Sequence, residues 1–112
     1  MAYCIYAIGL KTEVIERKRF LEANPNDVKG KPCHYVGSTS LSPEERAEQH
    51  RTAYRNSDGK KLFNTYAHEH FDGLRPRQYD RFNPSSTRKE AEQIEAELAV
   101  KLRKRGFGIW SH

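Results

Sequence analysis

The chain has 112 residues, which suits one domain with one core. A hydrophobic fraction of 36% and an aromatic fraction of 11% argue against disorder, and no apolar run reaches the length that crosses a bilayer. The net charge of +5 favours an anionic partner, with nucleic acid the commonest such partner.

Cys4 and Cys33 are isolated, too far apart for a zinc knuckle and too few for a disulfide scaffold, so two reduced thiols are expected. The opening Met-Ala-Tyr-Cys-Ile-Tyr-Ala-Ile lacks the basic start and the long apolar run of a secretory signal. An intracellular, cytoplasmic protein with no membrane partner is the expectation.

Taken in order, Tyr3 to Gly9 is rich in aromatic and branched residues and reads as the first strand. Alternation sets Cys4, Tyr6 and Ile8 on one face and Tyr3, Ile5 and Ala7 on the other. Both faces are apolar, which predicts a central strand covered on both sides. Thr12 is read as the cap of a helix reaching Ala23, with Val14, Ile15, Lys18 and Leu21 along one side and Asn24-Pro25-Asn26 stopping it. Val28 to Pro32 reads as a linker, and His34 to Ser38 as the second strand. Ser42, Pro43 and Glu45 then supply an N-cap, a proline at the first helical position and a capping box. The helix they open carries Arg46, His50 and Tyr54 on one stripe.

Asn56-Ser-Asp-Gly59 is a turn signal, and Lys60 to Phe71 reads as a helix bearing Leu62, Phe63, Tyr66 and His70. Arg75 to Phe82 alternates loosely and reads as an edge strand, with Pro76 tolerated at its start. Thr87 and Glu90 form a second capping box, whose helix runs to Arg105 and stops at Gly106. Lys101, Arg103, Lys104 and Arg105 complement the dipole of that helix, and Phe107 to Trp110 is a final extended segment. The predicted architecture is a single α/β (α+β) domain over residues 1–112, a small central mixed sheet of about three strands flanked by helices.

One residue of the last helix breaks its pattern. Ala91, Ile94, Glu95, Leu98, Ala99 and Leu102 share the spacing of a core-facing stripe, and Glu95 is the only carboxylate among them. A buried carboxylate costs several kcal/mol unless a cation meets it. Glu90, Glu92 and Glu97 lie off the stripe. Two strand tyrosines (Tyr6 and Tyr35), an Arg46/His50 stripe and this misplaced acid thus fall on elements expected to pack together.

In this set the chain resembles the GIY-YIG nuclease family. Cys4-Ile5-Tyr6 is similar to its first half-motif and Tyr35-Val36-Gly37 to its second. Arg46 matches the arginine that follows, His50 the aromatic or histidine one turn later, and Glu95 the glutamate of the late helix. The stretch from Asn24-Pro25 to Val36-Gly37 resembles small stand-alone bacterial members. The chain departs from the family pattern at Cys4 in place of glycine, in a helix-sized insertion between the half-motifs, and in one extra residue between Tyr35 and Arg46. Ser38 stands where a lysine is common, and Asn83 is the nearest candidate for an asparagine usually found beyond the late helix.

The resemblance implies a metal-dependent endonuclease that hydrolyses DNA phosphodiesters. Glu95 would hold one divalent ion, Mg²⁺ or Mn²⁺, Arg46 would grip the phosphate, and His50 would orient or relay protons. Tyr6 or Tyr35 would be the general base, with the choice between them open. Ser38, Tyr54, Lys60, Lys61 and Arg77 are candidate DNA contacts, with Arg75 and Arg81 along the same backbone track. The alternatives are a nucleic-acid-binding module of the same fold with weak or no turnover, and a small protein-interaction domain.

Overall fold

Strand β1 (Cys4–Leu10) sits between two neighbours, as its two apolar faces demand. β2 (Cys33–Thr39) lies on one side and β3 (Phe71–Leu74) on the other, both antiparallel to it. β4 (Gly108–Ser111) runs parallel to β2, so the sheet order is β3-β1-β2-β4. These coordinates are a computed structural model, which describes residues 2–25 and 30–111. Among the described residues four α-helices accompany the sheet: α1 (Lys18–Ala23), α2 (Pro43–Arg51), α3 (Thr65–Glu69) and the long α4 (Arg88–Lys104). Among the described residues no helix is long and apolar enough to cross a membrane.

The expected three strands are therefore four. The segment ending at Trp110 joins the sheet beside β2 because α4 carries the chain back along it, the crossover that a parallel pair requires. The edge strand is Phe71–Leu74, not Arg75 to Phe82, which forms two 3₁₀ turns at Pro76–Gln78 and Asp80–Phe82. Proline at the start of the first turn favours this tight coil over a ladder it could not donate to.

Two predicted helices are shorter than expected. Thr12 is not a cap: Thr12–Glu16 is a 3₁₀ turn, Arg17 is extended, and only then does α1 begin. The break resets the helical phase, so Phe20 is buried and Leu21 is exposed. Of Lys60 to Phe71 only α3 is helical, opened by the Asn64 side chain, which accepts from the Ala67 amide at 3.1 Å. α2 ends before Tyr54 because Ala53 turns left-handed (φ 54°) and the Tyr54 amide returns to the Gln49 carbonyl. Tyr54 thus leaves the stripe of Arg46 and His50. In the predicted linker, Val28 and Lys29 lie outside the described residues, as does Asn26 of the helix stop.

Both N-caps form, without the reciprocal half of a capping box: the Glu45 and Glu90 carboxylates accept from the Ser42 and Ser86 hydroxyls instead. Ser42 accepts from the Glu45 amide and Thr87 from the Glu90 amide, each at 3.1 Å. Gly106 is left-handed (φ 88°) just past α4.

The register distributes the site between the two faces. Opposed residues of an antiparallel pair share a face, so Tyr6 goes with Gly37 and Ile8 with Tyr35. Phe20 and Tyr66 pack on Trp110, the neighbour of Tyr35, and close this face with α1 and α3. Ser38 belongs to the other face with Ile5, and α4 packs there. Among the described residues β4 accompanies β2 only as far as Val36, opposite Ser111. Gly37 to Thr39 therefore forms an open edge where the two faces meet.

Candidate active site

Tyr6 and Tyr35 come together as cross-strand diagonal neighbours, with ring centroids 6.1 Å apart. Gly37 is the seat of Tyr6: a Cβ there would lie 2.5 Å from the Tyr6 hydroxyl, so any larger residue would displace it. His50 descends from α2 onto the pair, its ring 5.1 Å from Tyr35 and 5.8 Å from Tyr6. Its Nε2 lies 2.9 Å from the Tyr6 hydroxyl, and its Nδ1 accepts the Asn64 backbone N–H at 2.9 Å. All three rings are fully buried. Burial pushes the Tyr6 hydroxyl up to about 12, against the nearby Arg46 charge and hydrogen bonds from Tyr35 and Arg46, which favour the phenolate. Tyr35 is also raised, first by burial and then by Tyr6.

Arg46 stands one helical turn before His50. Its Nη1 donates to Gln49 Oε1 and to the Leu62 carbonyl, which ties it to the loop that leads into α3. Glu95 lies on the buried stripe of α4, as the periodicity requires, with 7% of its surface exposed. Burial raises its carboxyl, a hydrogen bond from Ser38 opposes that rise, and Glu92 adds to it. Among the described residues Glu95 makes no ion pair.

Arg46 and Glu95 line one cleft of about 670 Å³ at the open edge of β2, with Ser38, Tyr3, Arg88 and Glu92. The chain matches no family model, no curated protein and no solved structure. The cleft has to be read from its own chemistry.

That chemistry is oxygen-rich and of mixed charge. Glu92 and Glu95 are three residues apart on one helix and enter the same space, with the Ser38 hydroxyl near. Sequence periodicity set Glu92 aside as an off-stripe surface acid, and Arg88 carried no signal. The spacing from Glu92 to Glu95 was the available clue. Arg88 is exposed and pairs with Glu92 at 3.0 Å.

The remaining candidates do not reach the cleft. Tyr54 is exposed, and Lys60 and Lys61 sit on the Asn56–Gly59 turn, with Lys61 over the Phe63 ring at 4.6 Å. Arg77 is exposed on the first 3₁₀ turn. Of the proposed DNA contacts, only Ser38 lines the cleft. Asn83 does not serve the site. Its side chain accepts from Ile5 N–H at 2.7 Å and donates to Ile5 C=O at 2.8 Å, standing in for a strand where β3 does not reach.

Proposed function

We propose that the protein is a metal-dependent DNA nuclease of the GIY-YIG type, working in the cleft between α2 and α4. The observation that carries this is the approach of Arg46 and Glu95 to one open cleft, with the Tyr6 hydroxyl close enough to feel the Arg46 charge and His50 2.9 Å from that hydroxyl. A cation to grip phosphate, an unneutralised carboxylate and a hydroxyl acid–base group are the parts that phosphodiester hydrolysis requires.

The donor set fits a hard divalent ion. No group of three His, Cys, Asp or Glu converges among the described residues, so no protein cage of the zinc kind is present. Mg²⁺ or Mn²⁺ keeps most of its water and binds through one or two carboxylates. Glu95, with Glu92 beside it, would supply these. Held there, such an ion would supply charge stabilisation to the phosphoryl and leaving oxygens.

The chain's own residues do the rest. Arg46 aims its planar fork at non-bridging phosphate oxygens; Nη1 is already held, which leaves the remaining N–H groups for Tyr6 and an anion. Tyr6 is the better base of the two tyrosines, because the hydrogen bonds it receives favour its phenolate, whereas Tyr35 gives one up. Tyr6 first gives its own proton to solvent; the phenolate oxygen then takes a proton from water, the resulting hydroxide attacks phosphorus, the P–O3′ bond breaks, and the 3′ oxygen leaves with a proton from solvent. Tyr6 is fully buried, so the reaction requires water to reach its oxygen from the cleft side.

Full burial of Tyr6 and Tyr35 also supports the second assignment, a nucleic-acid-binding module of this fold without turnover. Plasmid nicking with and without Mg²⁺ or Mn²⁺ separates the two. A nuclease cuts only with metal and loses cutting in Glu95→Ala. A binding module shifts DNA in a salt-dependent way and never cuts.

A further inference from the structure

The least expected contact of the site is the one behind His50. Its Nδ1 accepts a backbone N–H, from Asn64, at 2.9 Å. A peptide N–H can only donate, so the nitrogen facing it carries no proton. The neutral imidazole then carries its hydrogen on Nε2, the atom 2.9 Å from the Tyr6 hydroxyl.

We infer that the Asn64 amide fixes His50 as its Nε2–H tautomer, so that His50 donates to Tyr6 and is a positioning residue, not a proton acceptor. The polarity decides what His50 can do. A ring whose Nε2 is already protonated cannot take the hydroxyl proton of Tyr6. It can hold the oxygen in place and favour the phenolate once the proton has left by another path. The functional meaning of this polarity rests on the nuclease assignment; the tautomer itself does not.

The surroundings hold the arrangement. The Asn64 side chain caps α3, while its backbone N–H makes the separate contact to His50. His68, on the same short helix, places its Nδ1 3.1 Å from the carbonyl oxygens of both His50 and Arg51 at the end of α2. The nitrogen contacting these carbonyls is a donor, so α3 is hydrogen-bonded to the end of α2 at His50 and Arg51. Gly37 leaves the room in which Tyr6 meets Nε2.

The test is a long-range ¹H–¹⁵N correlation spectrum of histidine-labelled full-length protein at neutral pH, with His50→Gln to assign the signal. The expected His50 pattern has a protonated Nε2 and an unprotonated Nδ1. Asn64→Ala, which keeps the amide and loses the cap, preserves that pattern. Asn64→Pro, which deletes the amide, converts it to a mixture of tautomers or to the Nδ1–H form. A wild-type His50 found as the Nδ1–H tautomer, or doubly protonated, overturns the inference, as does a changed tautomer in folded Asn64→Ala. Should Asn64→Pro fail to fold, the wild-type spectrum and Asn64→Ala still decide. Absence of nicking beside the expected tautomer would count against the nuclease assignment alone.

Discussion

Among the described residues, Asn24 and Glu95 are both buried polar side chains, and they are finished to different degrees. At the β4 edge Asn24 is almost wholly buried and fully used. Its amide group donates to the Phe20 carbonyl at 2.8 Å and the Ile109 carbonyl at 2.9 Å. Its oxygen accepts from Ile109 N–H at 2.8 Å and from Arg103 Nε at 3.2 Å. Asn24 thus does for β4 what Asn83 does for β1, completing a strand that lacks a neighbour. At the cleft, Glu95 is nearly as buried but has a serine hydroxyl where a cation belongs. A complete network in the interior reads as framework. A desolvated carboxylate without a counter-charge, opening on a cleft beside an arginine, reads as a place kept for something else.

The contrast can be broken from the framework side first. Asn24→Ala leaves Ile109 N–H and C=O and the Phe20 carbonyl without this partner, and we expect a loss of about 3 kcal/mol in urea unfolding, from the usual cost of such buried groups. Gly37→Ala drives a methyl into the Tyr6 hydroxyl. It should cost about 2 kcal/mol, as overpacked cores do, and should displace Tyr6 from His50 in the histidine nitrogen spectrum.

A smaller effect is expected for Arg103→Met. Asn24 Oδ1 keeps Ile109 N–H and the Ile109 carbonyl keeps Asn24 when the guanidinium goes, so the loss should be about 1 kcal/mol by the same unfolding assay. An equal loss for Arg103→Met and Asn24→Ala would erase the distinction between a partner that completes the strand and one that reinforces it.

Glu95→Gln should move stability the other way. Burial raises the folded carboxyl above its unfolded value, so the folded state binds the extra proton. The stability that Glu95 brings is present below its unfolded pKa and is lost as pH rises through the raised folded one. Glutamine has no such slope, so the variant should gain on the wild type as pH rises through that window, seen as a widening difference in thermal midpoint. A midpoint difference that is flat with pH, or that favours the wild type at neutral pH, would show Glu95 already neutralised by the protein.

Where local chemistry is decisive, the sequence alone was sufficient to find the elements. Ser42-Pro43 and Thr87 satisfy exposed amides of their own helices, so the starts of α2 and α4 needed no tertiary information. The placement of Glu95 followed from spacing within a single helix. Elements whose form depends on distant partners were not legible. β3 is four residues with a glycine at φ 80°, and its register against β1 shifts between Ile8 and Leu10, so it carries no alternation to detect. The break at Arg17 and the left-handed Ala53 have no breaker residue to announce them. For the site, Tyr6, Tyr35 and His50 meet in one buried cluster, while Arg46 and Glu95 share the cleft, which those three rings do not line. Glu92 escaped because a surface acid and a cleft acid look alike until the cleft exists, and Asn64 because its contribution is a backbone amide.

The central claim, that the cleft holds an ion on Glu95 to cut DNA, is tested most directly by nicking of supercoiled plasmid. Wild type and Glu95→Gln should be run side by side in Mn²⁺, with thermal melts of both proteins in the same buffer. We expect metal-dependent nicking by the wild type and its loss in a variant that melts no lower. Undiminished nicking by Glu95→Gln, or none by folded wild type at any Mg²⁺ or Mn²⁺ concentration, would contradict it.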